Sequence, residues 1–309
     1  MRIEHLYYFK RLAEVLNYTQ AAKELYITQP ALSTAIKRME EELGFSLFYR
    51  QGTKFSKISL SPQGQVFYEY VCLALSSYER GIALAQEYEG QQSSELKIGT
   101  LYAIQGQFWS RALEEYRTFS SYNPEFSIRQ AFSKALIAQL KKGNLDVVFS
   151  AKVDGKEDKD LNYTVCWSQP LVAAINKQHP LAKRAVKQGF ISVADLADET
   201  ILSYRQSSPV YTSLGPFLER HNITVSHFYD DEITLCSLVS SDENQVALLC
   251  YSFLVNAFED VVCVPIKEAP MDFHKLYLVS RNETHSKVLQ EFIDFMSKYR
   301  FPNILQLRN

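Results

Sequence analysis

The residues of this sequence that could do the most specific binding chemistry lie close together near its beginning, and all but one of them are polar. They combine short hydrogen-bonding side chains with two cations that follow about one helical turn later. These residues are Gln29, Pro30, Ser33, Thr34, Lys37 and Arg38. On one face of a helix, such side chains can reach base edges in a DNA major groove and also contact phosphates. The pattern predicts a helix that reads DNA.

Two short helical patterns, separated by a brief turn, must position these residues. Thr28 is a good N-cap for the second helix, and Pro30 suits its first turn because the N–H that proline lacks has no partner there. The apolar residues of the second pattern recur at helical spacing and predict one buried stripe. They are Leu32, Ala35, Ile36, Met39 and Leu43. Residues 17–43 therefore read as a helix-turn-helix.

The flanking segments decide between two interpretations of this motif, because paired amphipathic helices are also common in all-helical domains. Residues 1–16 predict a preceding helix with apolar residues on one face, namely Leu6, Phe9, Ala13 and Leu16. Gly44 ends the second helix, and two short β-like runs then flank residues 51–52, with Arg50 and Lys54 among them. This arrangement favours a winged helix-turn-helix over residues 1–60.

Two segments, AAKELYITQPALSTAIKRMEEELGFSLFYR and the following SLSPQG, resemble the LysR-type transcriptional regulators. The resemblance implies DNA binding by Gln29, Pro30, Ser33 and Thr34 at base edges. It also implies contacts of the four cations with phosphate or the minor groove, and these are Lys37, Arg38, Arg50 and Lys54. Ser61 replaces the usual threonine but keeps a hydroxyl, and Thr34 stands where many members have arginine.

Residues 61–90 predict one long helix that starts at the N-cap Ser61 and Pro62. Its broad apolar face must be buried, either within its own domain or against a second copy. The resemblance implies the second, an antiparallel linker helix in a homodimer or homotetramer that could also contact RNA polymerase. Dimerisation has a physical reason as well, because two copies can read a pseudo-palindromic DNA site.

Charge is distributed unevenly along the 309 residues, whose formal net charge is −2. Residues 1–64 hold nine Lys or Arg against six Glu, whereas the remainder is acidic. A basic head on an acidic body fits a DNA-binding module joined to a domain that does not bind DNA. Five scattered cysteines indicate neither a disulfide framework nor a metal site, so we expect no metal and no cofactor.

Beyond a polar stretch at residues 90–95, strand-like and helix-like patterns alternate and predict an α/β domain over 91–309. The first three strands, separated by helices, predict a parallel sheet. We assign lobe I to residues 95–160 and 267–300, and lobe II to residues 161–266. LVAAINKQHPLA and ISVADLA again resemble the LysR-type family, which implies two lobes with a fold similar to periplasmic binding proteins.

In α/β lobes, ligands bind beyond the carboxyl ends of strands. By this rule the predicted effector-binding residues are Thr100, Tyr102, Ser133, Tyr204 and Arg205. Arg205 could pair with an anion, so the effector could be anionic. Each residue also has a structural alternative, since Thr100 could be a cap, Tyr102 could be core and Arg205 could form a surface ion pair.

Enzymatic activity is not expected, because the sequence contains no GxSxG, HExxH, GxxxxGK[ST] or GxGxxG motif. A solute-binding protein is the other alternative. The basic head and the lack of a secretory pattern argue against it, and no apolar run is long enough for a membrane span. The sequence thus predicts a cytoplasmic regulator of bacterial transcription that binds double-stranded DNA and a small-molecule effector.

Overall fold

A computed structural model describes residues 1–51, 57–88, 95–104, 107–283 and 285–300. The chain divides into two compact units between residues 91 and 92, with Lys141–Asn144 grouped with the first. The five cysteines all lie in the described ranges, and none forms a disulfide.

In its described residues, the first unit contains four helices and a two-stranded antiparallel sheet. Its elements are α1 (Ile3–Val15), α2 (Tyr18–Glu24), α3 (Gln29–Leu43), β1 (Phe48–Gln51), β2 (Lys57–Leu60) and α4 (Pro62–Tyr88). The order of three helices, a β-hairpin and a long helix confirms the predicted winged helix-turn-helix and linker helix.

Local capping sets the bounds of α2 and α3. Asn17 Oδ1 accepts a hydrogen bond from the Gln20 amide at 3.0 Å, and Thr28 Oγ1 accepts one from the Ala31 amide at 3.3 Å. Each bond satisfies an amide that has no partner within the helix. Gly44 ends α3 with φ +76°, a conformation that glycine adopts without steric cost. The predicted Thr28 cap and Gly44 stop are confirmed.

The core of the first unit forms where α1, α2 and α3 meet. Phe9 and Leu32 are fully buried, and the predicted stripe of α3 is buried from Leu32 to Met39. One expectation was wrong, because Leu16 is 41% exposed. Leu16 is the C-cap of α1 and takes a left-handed conformation with φ +52°, which turns it away from the helix face.

The described strands and helices of the second unit are short. The longest is a helix of 13 residues, and each of the others has 12 residues or fewer. Its strands are β3 (Glu95–Thr100), β4 (Glu125–Gln130), β5 (Val147–Ser150), β6 (Leu161–Gln169), β7 (Leu171–Asn176), β8 (Thr200–Tyr204), β9 (His227–Tyr229), β10 (Gln245–Cys250), β11 (Val261–Pro265) and β12 (His274–Arg281). Its helices are α5 (Gln107–Phe119), α6 (Ser133–Lys141), α7 (Pro180–Gln188), α8 (Tyr211–Arg220), α9 (Glu232–Ser241) and α10 (Lys287–Lys298).

In the part of this unit that the structure describes, two five-stranded sheets form two lobes. The first has the strand order β4-β3-β5-β12-β6, and the second has the order β11-β7-β10-β8-β9. Strand β3 is parallel to β4 and β5, as predicted, whereas β12 is antiparallel to its two neighbours. The α/β fold with two lobes agrees with the sequence analysis.

The structure shifts the predicted boundary between the lobes. Residues 161–169 were assigned to lobe II, but β6 pairs with β12 from Leu161 to Gln169 and so belongs to the first sheet. The chain enters the second sheet only at Leu171 and leaves it after Pro265. The pattern of a strand does not identify its hydrogen-bonding partner, which is why the sequence placed this strand on the wrong side.

Candidate functional sites

Helix α3 presents a polar face opposite its buried stripe. Gln29, Pro30 and Thr34 are exposed, and Ser33 is half-buried beside the stripe. Side chains that are exposed on the second helix of such a motif are free to reach base edges. The structure therefore brings these four predicted DNA-binding residues to one surface.

The structure describes the side chains of two of the four cations that are predicted to contact phosphate or the minor groove. Lys37 and Arg38 are exposed on α3. Lys37 Nζ lies 3.6 Å from Glu41 Oε1, an exposed pair of the kind that contributes little to stability, so it does not hold the lysine back from a phosphate. The backbone of Arg50 lies in β1, but its side chain is not described. Lys54 lies outside the described residues.

Tyr26 is a surface feature that the sequence analysis missed. It stands in the turn between α2 and α3, is 96% exposed and has a φ of +57°. A residue other than glycine is strained in this left-handed region, and an exposed aromatic ring gains no burial energy to offset the strain. The signal in the sequence was a bulky aromatic residue within the turn that leads into the Thr28 cap.

Helix α4 carries an exposed apolar stripe. Val66, Tyr70 and Leu73 follow the i, i+4, i+7 spacing of one helix face and are 57%, 67% and 40% exposed. Val71 and Leu75, by contrast, are buried in the core of the first unit. An apolar face of this kind is typical of a surface that another molecule covers.

A cavity of about 430 Å³ lies between the two lobes of the second unit. Lobe I lines it with Leu101, Tyr102, Ala103, Phe132, Ser133, Ala151, Gln169, His274 and Leu276, and lobe II lines it with Tyr204, Ser208, Pro209, Val210, Asp230, Asp231, Glu232, Ile233, Thr234 and Leu254. A concave, mostly apolar cavity of this size with a few polar groups fits a small organic ligand.

Two of the five predicted effector-binding residues do not line this cavity. Thr100 is fully buried, and its hydroxyl donates to the Leu101 carbonyl at 3.3 Å. Successive side chains of a strand point to opposite faces, and it is the next residue, Leu101, that reaches the cavity. Arg205 is exposed and its Nε lies 2.9 Å from Asp230 Oδ1, which is the surface ion pair of the alternative interpretation.

The other three predicted residues lie in the cavity wall. Tyr102 is 43% exposed, with its ring edge-on to Phe132 at a centroid distance of 6.1 Å. Ser133 is buried, and its Oγ accepts a hydrogen bond from the Ala151 amide at 3.2 Å. Both residues flank the lobe I side of the cavity, where Tyr102 offers an aromatic surface.

Tyr204 connects the cavity to the interior of lobe II. Its hydroxyl donates to Glu232 Oε1 at 2.8 Å and accepts from the Cys250 amide at 3.1 Å. Burial raises the pKa of Tyr204 well above its ordinary value. Burial also raises the pKa of the Glu232 carboxyl, and the hydrogen bond from Tyr204 lowers it in part. The tyrosine therefore remains a neutral hydrogen-bond donor.

The sequence analysis did not single out four titratable residues of the cavity wall. Three are the consecutive acids Asp230, Asp231 and Glu232, and the fourth is His274, which is 7% exposed at the start of β12. Burial lowers the pKa of His274 to about 4, so its imidazole is neutral near pH 7. The run of three acids at the start of a helix was the signal available in the sequence.

Comparison with known protein families identifies the chain. A family model described as "Bacterial regulatory helix-turn-helix protein, lysR family" matches residues 3–65. A second, described as "LysR substrate binding domain", matches residues 89–300. The chain belongs to the LysR family. This LysR-family protein is a DNA-binding transcriptional regulator with an effector-binding domain and not an enzyme, as the sequence analysis predicted.

Curated relatives and solved structures support the assignment. The LysR-family chain is 29% identical over 75% of its length to the uncharacterized HTH-type transcriptional regulator YybE of Bacillus subtilis, of which the match covers 76%. It is 28% identical to the regulator BenM of Acinetobacter baylyi, over 90% of this chain and 85% of BenM.

The fold extends across the LysR-family chain. Full-length CbnR, solved in complex with its target DNA, matches with a TM-score of 0.68 over 96% of this chain and 99% of CbnR. The identity is 19%, so this likeness concerns the fold alone. Within the described part of the chain, no helix combines the length and apolar character that crossing a membrane requires.

Proposed function

We propose that this LysR-family regulator responds to a small-molecule effector that binds between the two lobes of its second unit. The observation that carries the proposal is the cavity of about 430 Å³, whose wall is built from both lobes. A ligand that touches both lobes binds one lobe arrangement better than another, and this difference in affinity shifts the population of states.

DNA binding is assigned to the exposed face of α3 and to two cations of the wing. Gln29, Pro30, Ser33 and Thr34 would meet base edges, whereas Lys37, Arg38, Arg50 and Lys54 would meet phosphate or the minor groove. The exposure of the α3 residues and the polarity of this face support the assignment. Tyr26 is added as a contact to the DNA backbone, because its ring is exposed at the same end of α3.

Ser33→Ala is expected to weaken binding to the specific operator by about 1–3 kcal/mol, because one good base contact contributes about that much discrimination. Fluorescence anisotropy with operator and random duplexes measures the effect. Binding to random DNA should stay unchanged. An equal loss on both duplexes would instead place Ser33 at a phosphate.

Lys37→Ala is the matched comparison on the same face of α3. It should weaken binding to both duplexes and lower the salt slope, the dependence of log affinity on log salt concentration, by about one unit. A slope identical to that of the wild type would remove Lys37 from the phosphate contacts.

The proposed assembly is a homodimer joined through α4, or a homotetramer of two such dimers. The exposed stripe of Val66, Tyr70 and Leu73 supports it, because an apolar helix face of this size is stabilised when a second copy covers it. A regulator of this kind would act in the cytoplasm, where its DNA lies, and a contact with RNA polymerase would transmit its effect on transcription.

Filling the cavity should abolish the response to the effector while DNA binding is retained. In Ala103→Phe a large ring occupies the space between the lobes, since Ala103 lines the cavity. A reporter under a promoter found by genome-wide footprinting would be measured across a panel of carbon and nitrogen sources. We expect Ala103→Phe to lose at least nine tenths of the wild-type change in output and to keep the footprint.

The control is Ala138→Phe, which adds the same ring at an exposed position of α6 outside the cavity wall. It should respond as the wild type does. A full response from Ala103→Phe would move the effector site elsewhere, and a wild-type output that is constant in every medium would contradict an effector.

A further inference from the structure

Charge in the cavity wall is strongly one-sided. Asp230, Asp231 and Glu232 all line the cavity, and no lysine or arginine does so in the described part of the chain. The guanidinium of Arg205 is paired with Asp230 on the exposed side. After this pair is subtracted, the carboxyl groups of Asp231 and Glu232 remain without a cation, so acidic groups are in excess in the cavity wall.

Two carboxyl groups of the protein, those of Asp231 and Glu232, lie at the amino end of α9. Asp231 Oδ1 accepts from the Thr234 amide at 2.8 Å, and Asp231 Oδ2 accepts from the Thr234 hydroxyl at 3.2 Å. Glu232 occupies the first turn of the same helix. Helix amino ends attract anions through unpaired amides and the helix dipole, but here these carboxylates offset both. This end of the cavity therefore repels a carboxylate ligand.

Glu232 is left without a cationic partner. Tyr204 donates one hydrogen bond to its Oε1 and its own backbone amide donates another, but no Lys, Arg or His of the described residues pairs with this carboxylate. A carboxylate that is withdrawn from water is stabilised by an opposite charge that also donates hydrogen bonds. An ammonium group can supply three donors and the charge at once.

His274 is a second, independent indication of a polar ligand group. Its imidazole lines the cavity and is more than nine tenths buried, and burial alone accounts for its lowered pKa, with no side-chain hydrogen bond to a described residue. A buried polar group without a partner costs free energy, so a ligand that bonds to it binds more tightly. Because the ring is neutral, it contributes no positive charge to attract an anion.

Apolar side chains form the rest of the wall. Leu101, Phe132, Leu254 and Leu276 come from both lobes and surround the space next to the polar end. Such a surface favours an apolar ligand body, because burial removes its surface from water. The cavity thus joins an acidic end to an apolar chamber.

We propose that the effector of this cleft is a small organic amine, with its ammonium group at Glu232 and Asp231 and its apolar body against Phe132 and Leu276. The inference rests on the proposed function, in which this cleft is the effector site. It departs from the expectation of an anionic effector, which depended on Arg205 pointing into the cleft.

The test uses ligands that share one body and differ in charge. 3-Phenylpropylamine, 3-phenylpropan-1-ol and 4-phenylbutyrate would be titrated into the full-length protein by calorimetry, and matched sets with cyclohexyl, indolyl and unbranched hexyl bodies would follow. We expect the best amine to bind at least tenfold more tightly than its alcohol and the carboxylate to bind most weakly. A carboxylate that binds as tightly as its matched amine would overturn the proposal.

The same titrations on Glu232→Gln test the role of the carboxylate, because glutamine keeps an acceptor for Tyr204 and removes the charge. The preference for amine over alcohol should fall about tenfold or more. Glu243→Gln removes an exposed carboxylate of the same lobe outside the cavity wall and should leave the preference unchanged. An unchanged preference in Glu232→Gln would also overturn the proposal.

The experiments distinguish a wrong ligand class from a wrong effector site. If carboxylates bind and amines do not, the cleft is still an effector site and only the ligand class is wrong. If no member of any charge class binds, and the Ala103→Phe variant responds like the wild type, the proposed function fails with it.

Discussion

Gly64→Ala is expected to destabilise the first unit by about 3 kcal/mol, at the upper end of the usual range for overpacking. A Cβ at this position would lie 2.0 Å from the carbonyl oxygen of Leu47 and 2.9 Å from its carbonyl carbon. Helix propensity alone would favour alanine by up to about 1 kcal/mol. The steric clash therefore decides the sign.

The clash is not easily relieved, because the backbone at Leu47 is held from several sides. The Leu47 carbonyl accepts from the Ser61 amide at 3.0 Å, and the Leu47 amide donates to Glu40 Oε1 at 2.7 Å. Ser61 Oγ in turn caps α4 by accepting from the Gly64 amide at 2.8 Å and donates to the Ser46 carbonyl at 2.5 Å. This network fixes the start of α4 against the segment before the wing.

Denaturant unfolding of the full-length protein measures the loss of stability. The loss of DNA-binding activity with denaturant reports the unfolding of the first unit. Gly81→Ala is the matched control in the same helix, since its Cβ would meet no atom within 4 Å. It should be neutral or stabilise by up to about 1 kcal/mol. Equal stabilities of the two variants would show that the contact between Gly64 and Leu47 does not constrain the fold.

The double substitution of Tyr70→Asp and Leu73→Asp is expected to convert the protein to a form that no longer dimerises through α4. Its operator affinity should fall by about 100-fold or more, because two half-sites are then read by separate molecules. Both side chains are exposed on the apolar stripe, so the substitution spares the core of the first unit. Placing two carboxylates in an apolar interface would cost several kcal/mol.

Analytical ultracentrifugation gives the assembly state, and anisotropy on full and half operators gives the affinity. The control is Gln63→Asp with Gln65→Asp, which adds the same charge at exposed polar positions in the first turn of α4. Acidic residues near a helix amino end are tolerated or slightly stabilising. A Tyr70→Asp, Leu73→Asp protein that keeps the wild-type assembly and affinity would contradict dimerisation through α4.

Elements that depend on neighbouring residues were predicted well. The Thr28 cap, the Gly44 stop and the buried stripe of α3 all follow from interactions within one or two helical turns. Leu16 shows the limit of the same method, because the helical period placed it on the core face while the chain had already left the helix. A helix end is decided by the backbone conformation of one residue.

Sheet membership was predicted less well because strand pairing joins residues far apart in sequence. The residue types of strand β6 would suit a strand of either lobe. Its pairing with β12 assigns it to the first sheet, and β12 follows more than a hundred residues later. The same difficulty affected the cleft. Tyr102 and Ser133 reach its wall, whereas Thr100 turns into the interior and Arg205 pairs with Asp230.

The sequence by itself determined the helix-turn-helix, its polar face and the long linker helix, because these rest on local spacing and capping. The LysR family followed from the resemblance of the motifs at residues 21–50 and 59–64. Only the tertiary structure decided the character of the cleft. Its wall combines Tyr204 of β8, His274 of β12, and Glu232 at the start of α9 with the two acids before it. The distances between such segments, and hence the potential and the unpaired groups that a ligand meets, are set by how the two sheets fold around the cavity.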